Sequence, residues 1–259
     1  MSRVVVNVAT DSWARGQKRL LDHLDAGELS RIWSNALPAG CPPHRQHGVV
    51  GGAPEACRPY AFKAYALSEA AIEGYTTLLW CDASIVPIRP LGPLWERIER
   101  EGYWIGRNGW NNSDWTADSA YADLFAGMEL EEARALNKTI PHVVGTAFGI
   151  DLLSTVGKLF LHEYFRLATT RAFCGPWQNS AAPRVAHRNE DRPAGPCGPV
   201  TTLGHRHDQT AMAVIAWRLK MKLTDGPEVF SYAKVDERGK AILDPAQYGE
   251  NTLLLAAGI

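Results

Sequence analysis

A chain of 259 residues, 46% of them hydrophobic, carries enough apolar surface for one large core, and we expect a single domain. The formal net charge of -1 excludes a global basic field that would draw in nucleic acid or an anionic membrane, leaving only a local groove for such partners. Five scattered cysteines without a CxxC pair argue against a disulfide framework or a structural zinc site. The N-terminal apolar run is too short for a signal peptide and no window has the length of a membrane span, so a cytoplasmic location is the simplest expectation.

Val4-Val5-Val6-Asn7-Val8-Ala9 reads as a first strand. Thr10-Asp11-Ser12 then offers N-cap residues for a helix from Trp13 to Asp25. A short second strand is expected over Arg31 to Asn35, followed by a loop rich in Pro, Gly and His from Leu37 to Pro54. Tyr60, Ala64, Leu67, Ala71 and Ile72 form an apolar stripe at helical spacing, which predicts a helix from Pro59 to Glu73 closed by Gly74. Thr77 to Cys81 has the length and composition of a central strand, and it stops on Asp82. A helix over Leu91 to Arg100, stopped by Gly102, leads to a strand at Tyr103 to Gly106. This alternation of β and α predicts helices covering a mixed, mostly parallel sheet.

From Asn108 to Trp115 the composition turns to Gly, Asn, Ser and Trp, which suits a loop, either at a ligand mouth or plainly on the surface. Helices are expected at Ala117 to Ala126 and Leu130 to Leu136, a glycine-punctuated strand at His142 to Ile150, and a helix at Leu152 to Ala168. Cys174 to Val200 reads as a long loop or lid. A helix over Thr210 to Lys220 and a last strand near Glu228 to Tyr232 complete the order.

Two polar clusters stand at element boundaries: Asp82 with Ser84, and His205, His207 and Asp208 before the late helix. Carboxylate and imidazole together suit a divalent cation such as manganese or magnesium. Asp82 capping a turn, Asp208 as an N-cap and the histidines as an incidental loop pair are the plain alternatives. In open α/β sheets ligands sit beyond the carboxyl ends of the strands, where Asp82 falls. No GxxxxGK[ST] loop, GxGxxG turn, GxSxG elbow or HExxH helix occurs, which removes the enzyme classes built on them.

The order of these segments resembles that of nucleotide-sugar glycosyltransferases of the GT-A type. The opening strand and helix with Thr10 and Asp11 at their junction, the helix around Lys63, the strand ending in Asp82-Ala83-Ser84 and the late His-Arg-His-Asp-Gln segment stand where that family has its donor junction, basic helix, Asp-x-Asp motif and distal segment. Here Ser84 replaces the second carboxylate. The resemblance implies an α/β, single-domain GT-A-like fold, with a nucleotide-binding half at about 1–106 and an acceptor half at about 107–259. It implies transfer of a hexosyl or pentosyl group from a nucleotide-sugar donor to a hydroxyl, assisted by a divalent cation (Mn2+ or Mg2+).

Thr10, Asp11, Lys63, Asp82, Ala83 and Ser84 would then face the donor, Asp82, Ser84, His205 and His207 the metal, and Asp208 the acceptor hydroxyl as catalytic group. Gly145 and Thr146 would line the acceptor side. Trp110 and Trp115, with Trp177, offer aromatic faces for a sugar or base. The acceptor stays open among a saccharide, a protein, a small molecule and a modified nucleic acid such as a hydroxymethylated DNA base, with Arg184, His187, Arg188 and Arg192 as a local basic cluster interrupted by Glu190 and Asp191. A nucleotidyltransferase of related fold and a non-catalytic sugar-nucleotide-binding module are the competing readings.

Overall fold

The computed structural model describes residues 2–44, 57–176, 202–225 and 228–258. Strand β1 (Arg3–Ala9) leads through a short 3-10 turn (Asp11–Trp13) into α1 (Ala14–Asp22) and β2 (Ser30–Ser34). Then follow α2 (Phe62–Ile72), β3 (Thr77–Cys81), β4 (Ile85–Pro87), α3 (Gly92–Glu101) and β5 (Tyr103–Asn111). The second half holds α4 (Asp118–Leu124), α5 (Leu130–Asn137), β6 (Pro141–Asp151), α6 (Thr155–Ala168), α7 (His207–Arg218), β7 (Phe230–Tyr232) and β8 (Leu254–Ala256).

The main sheet has the order β2-β1-β3-β6-β5. β1 pairs in parallel with β2 and with β3, while β6 runs antiparallel to both β3 and β5. Only β6 opposes the common direction, so the sheet is mixed and mostly parallel, as expected. Its central strands are buried at nearly every position and largely apolar, because both faces are covered. Period-two alternation divides each run: Val4, Val6, Leu78 and Trp80 enter the core beneath α2, α6 and α7, while Val5, Leu79 and Cys81 enter the core shared with Leu20, Leu94, Trp95 and Ile98. All of these side chains are essentially excluded from water, each burial contributing about 1.5–3 kcal/mol for a Val- or Leu-sized group.

Several expectations need correction. The apolar stripe read along α2 is only part of what that helix buries, since Phe62, Lys63, Ala64, Ala66, Leu67 and Ala70 are all covered, whereas Ile72 at its end is 85% exposed. A helix wedged between a sheet and α6 has no single polar face, so the stripe understated its burial. The segment Asn108 to Trp115 is not an open loop: β5 runs on to Asn111, and a 3-10 turn (Asn112–Trp115) is pinned by Asn112 Nδ2 donating to Asn137 Oδ1 at 2.9 Å. β7 is not the last strand. It pairs in parallel with β8, and β8 pairs antiparallel with β4, forming a second sheet of order β4-β8-β7. Phe230 and Leu254 of that sheet join the same core as Val5, so it extends the domain rather than starting another.

Gly102, with φ of 85°, ends α3 in the left-handed region where a side chain would be strained. The stop signal read from the sequence is therefore real. The lid expected from Cys174 to Val200 lies almost wholly outside the described residues, as do Trp177 and the cluster Arg184, His187, Arg188 and Arg192.

Candidate active site

β1 turns to one neighbour, β2, and the chain then returns to β3 on the other side of β1. The point where the strand order reverses leaves a crevice beyond the carboxyl ends of the two strands. Val8-Ala9-Thr10 at the end of β1 and Asp82-Ala83-Ser84 at the end of β3 line a cavity of about 210 Å³ there. Lys63 of α2, Gly145 and Thr146 of β6, and Asp208 and Gln209 of α7 complete its polar lining. Hollows near Arg89 and Leu253 and near Arg107 and Trp217 are larger, about 450 and 560 Å³. The crevice at the strand ends holds a buried ammonium within 3.0 Å of two carboxylates, beyond the carboxyl ends of the central strands, which makes it the candidate site.

Lys63 stands at its centre. Its side chain is 2% exposed, and Nζ donates to the Gly145 carbonyl at 2.7 Å. The same nitrogen lies 3.0 Å from Asp82 Oδ1 and 2.9 Å from Asp208 Oδ2. Burial by itself would lower the Lys63 pKa, but the charges of Asp208 and Asp82 outweigh it and raise the pKa, keeping the ammonium protonated. The Tyr60 and Trp80 rings each lie 5.4 Å from Nζ and close the remaining sides.

The two carboxylates differ in surroundings. Asp82 retains 23% exposure, and its Oδ1 also accepts from Trp80 Nε1 at 2.7 Å. Its Oδ2 receives no hydrogen bond from the described residues. Asp208 is 4% exposed, and burial raises its pKa, only partly opposed by Lys63. The Lys63 contact reaches Asp208 Oδ2 at ion-pair distance but off the direction of a hydrogen bond, so this oxygen keeps its accepting capacity. Thr146 Oγ1 is likewise buried without a hydrogen-bond partner among the described residues. A Cβ at Gly145 would lie 2.6 Å from Gln209 Cγ and 3.1 Å from Asp208 Oδ2, so a glycine is needed for β6 to approach the start of α7.

Thr10, Lys63, Asp82, Ala83, Ser84, Gly145, Thr146 and Asp208 are thus brought together. Asp11 is not among the lining residues: it is exposed at φ of 51°, its backbone N–H bonded to Asn35 Oδ1 at 3.0 Å. Trp110 and Trp115 meet edge to face at 5.5 Å away from the lining, and Trp115 is buried beneath the Arg206 guanidinium. Aromatic surface in a polar segment suggested a platform, but Trp115 serves packing instead.

The two histidines also turn away from the cavity. His205 Nδ1 accepts from the Ala117 N–H at 3.2 Å, so Nε2 carries the proton and donates to the Ala172 carbonyl at 2.9 Å. No lone pair remains for a cation. His207 donates from Nδ1 to the Phe173 carbonyl at 3.0 Å and stacks on Tyr60 at 5.5 Å. With φ of 43° it sits in the left-handed region, as Tyr60 does at 61°. Such strain persists only where surrounding contacts over-determine it, and here His207 immediately precedes Asp208, which lines the cavity. The residues that fit a divalent cation are therefore Asp82, through its free oxygen, and Ser84. Among the described residues no group of three His, Cys, Asp or Glu side chains converges on one point. Trp13, Leu37, His44, Tyr60, Phe62 and Gln209 line the cavity without having been singled out as ligand contacts. Their only sequence signal was proximity to the motifs.

Burial lowers the pKa of His205 from 6.5 to about 4 and that of His142 to about 3. Both rings are neutral when folded, whereas the unfolded chain takes up protons below about pH 6.5. Stability from these groups is complete above that value and declines as pH falls towards 4 and then 3. The two rings together make the decline steepest between about pH 6 and 4. A thermal midpoint that stays level from pH 6.5 to 4.5 would contradict their neutral burial.

No family model matches the chain, and no curated protein matches it in sequence. Among solved structures it is similar to a glycosyltransferase involved in the glycosylation of the major capsid of PBCV-1, at 9% identity and a TM-score of 0.47, over 98% of this chain and 94% of that one. It is also similar to the apo structure of WbbM, a bifunctional glycosyltransferase, at 10% identity and a TM-score of 0.44, over 98% of this chain and 45% of that one.

Proposed function

We propose that the chain transfers a hexosyl or pentosyl group from a nucleotide-diphosphate sugar to an acceptor hydroxyl. The observation that carries this reading is the meeting of Thr10, Asp82-Ala83-Ser84 and Asp208 on one cavity at the strand-order reversal. Residues far apart in the chain, in the order in which glycosyltransferases of the GT-A type use them, converge on a single crevice.

The cavity encloses a ring-sized group, with the rest of the donor extending along its open side. Asp82 and Ser84 would hold a divalent cation together with the donor phosphates, a donor set that suits a hard cation keeping most of its ligands from substrate and water. Bound there, the cation would offset negative charge on the departing diphosphate. The protein side of the site favours such a partner: Lys63, Asp82 and Asp208 sum to one net negative charge, and no other charged group lines the cavity among the described residues.

Asp208 is the group for the acceptor. Its Oδ2, held at ion-pair distance by Lys63 but given no hydrogen bond among the described residues, would accept one from the acceptor hydroxyl, and in an inverting course take the proton as the new C–O bond forms. Its raised pKa brings it towards the range in which a carboxylate is an effective base at neutral pH. No described helix is long and apolar enough to cross a membrane.

Incubation with a panel of nucleotide sugars and manganese, followed by measurement of free nucleoside diphosphate, tests the reading. Release with one or two donors, increased by a matching acceptor, is expected. Release of sugar 1-phosphate in place of the nucleoside diphosphate would indicate nucleotidyl transfer, binding without turnover would leave a non-catalytic sugar-nucleotide-binding module, and neither binding nor turnover across the panel would overturn the reading.

A further inference from the structure

We propose that Lys63 is a positioning residue that ties the donor-side carboxylate Asp82 and the acceptor-side carboxylate Asp208 to one point, rather than a ligand of the donor. This rests on the transferase reading of the site. The ammonium is spent on the protein itself: three oxygens lie within 3.0 Å of Nζ, two aromatic rings flank it, and only 2% of the side chain meets solvent. A phosphate reaching Nζ would have to displace a carboxylate of the site.

The three oxygens come from the end of β3, from β6 and from the first turn of α7, segments distant in sequence and joined here by one atom. Asp82 and Asp208 repel each other at this separation, and Asp208 is too buried to be screened by water. Removing the ammonium leaves two like charges without a counter-charge, so one carboxylate must take a proton or swing away. The cost falls first on Asp208, which is 4% exposed against 23% for Asp82 and is therefore less able to keep an unpaired charge. Lys63 also fixes β6 through the Gly145 carbonyl, beside the position where a Cβ would collide with Gln209.

A double-mutant cycle on the full chain decides the matter: wild type, Lys63→Met, Asp208→Asn and the double variant, with Lys63→Arg as the charge-keeping control. Binding of UDP, GDP, ADP and TDP is followed by calorimetry, turnover by nucleotide release, and folding by the thermal midpoint. Lys63→Met is expected to lower kcat about 100-fold or more while changing nucleoside diphosphate affinity less than about 10-fold. The double variant should turn over no more slowly than Asp208→Asn alone, because both changes remove one interaction. Its thermal midpoint should exceed that of Lys63→Met, since the repelling charge has gone with the lysine. Lys63→Arg should recover part of both losses.

Losses in kcat that multiply in the double variant, or wild-type kcat in Lys63→Met, would overturn the positioning role. So would loss of nucleotide affinity alone, which would return Lys63 to the donor. If Lys63→Met fails to fold, the double variant and Lys63→Arg still report the coupling. A wild type that turns over nucleotide sugar while the cycle is additive removes this proposal only. A wild type that binds no nucleoside diphosphate and turns over nothing removes the transferase reading as well.

Discussion

Asp208→Asn is expected to lower kcat by about 10²- to 10⁴-fold, the range usual for loss of a general base, while leaving donor affinity within a few-fold of wild type. The separation follows from placement. Asp208 sits at the start of α7 on the β6 side of the cavity, whereas the strand ends that would meet the donor belong to β1 and β3. The fold should tolerate the change because the cluster then holds one ammonium and one carboxylate, a balanced pair in place of an excess negative charge. A thermal midpoint within about 4 °C of wild type corresponds to roughly 1 kcal/mol in a chain of this size. Initial rates at saturating donor, with nucleotide binding measured separately, check the split. An effect confined to donor binding would move Asp208 to the donor side.

Asp82→Asn should abolish cation-stimulated turnover and weaken binding of the nucleotide sugar together with its cation. Its structural cost is expected to be small. The amide oxygen of asparagine still accepts from Trp80 Nε1, a bond of 2.7 Å in the native chain, and the Asp82 backbone N–H keeps its 2.7 Å bond to the Thr146 carbonyl. What disappears is the second carboxylate oxygen, which an NH₂ group cannot replace as a ligand for a hard cation. Manganese titration of nucleotide release, alongside a melting curve, separates these effects. Turnover at the wild-type rate in this variant would sink the assignment of Asp82 to the donor site.

The fate of individual residues shows where sequence pattern was sufficient. β3 was legible because five consecutive buried residues end abruptly at a carboxylate, and its bounds, Thr77–Cys81, match the apolar run. α6 and α7 were legible because their apolar residues extend well beyond a strand's length. β4 and β8 were not, because three-residue strands carry no period and the two pair with each other across a long stretch of intervening chain. His205 and His207 had the right chemistry for a metal and the wrong orientation, since a spacing of two says nothing about which backbone carbonyl each ring will face.

The sequence by itself determined the order of the helices and of the main-sheet strands, the βαβ start and the three titratable residues Lys63, Asp82 and Asp208, because burial patterns and element ends are local and are written in neighbouring residues. Only the tertiary structure decided that these three share one contact point, that Lys63 faces protein oxygens, and that Tyr60 and His207 stack beside them, both in left-handed backbone. Those facts depend on the β2-β1-β3-β6-β5 strand order and on the close approach at Gly145, which bring segments from both halves of the chain within hydrogen-bonding distance. Electrostatic energy depends on separation in space, and no spacing along a chain contains that.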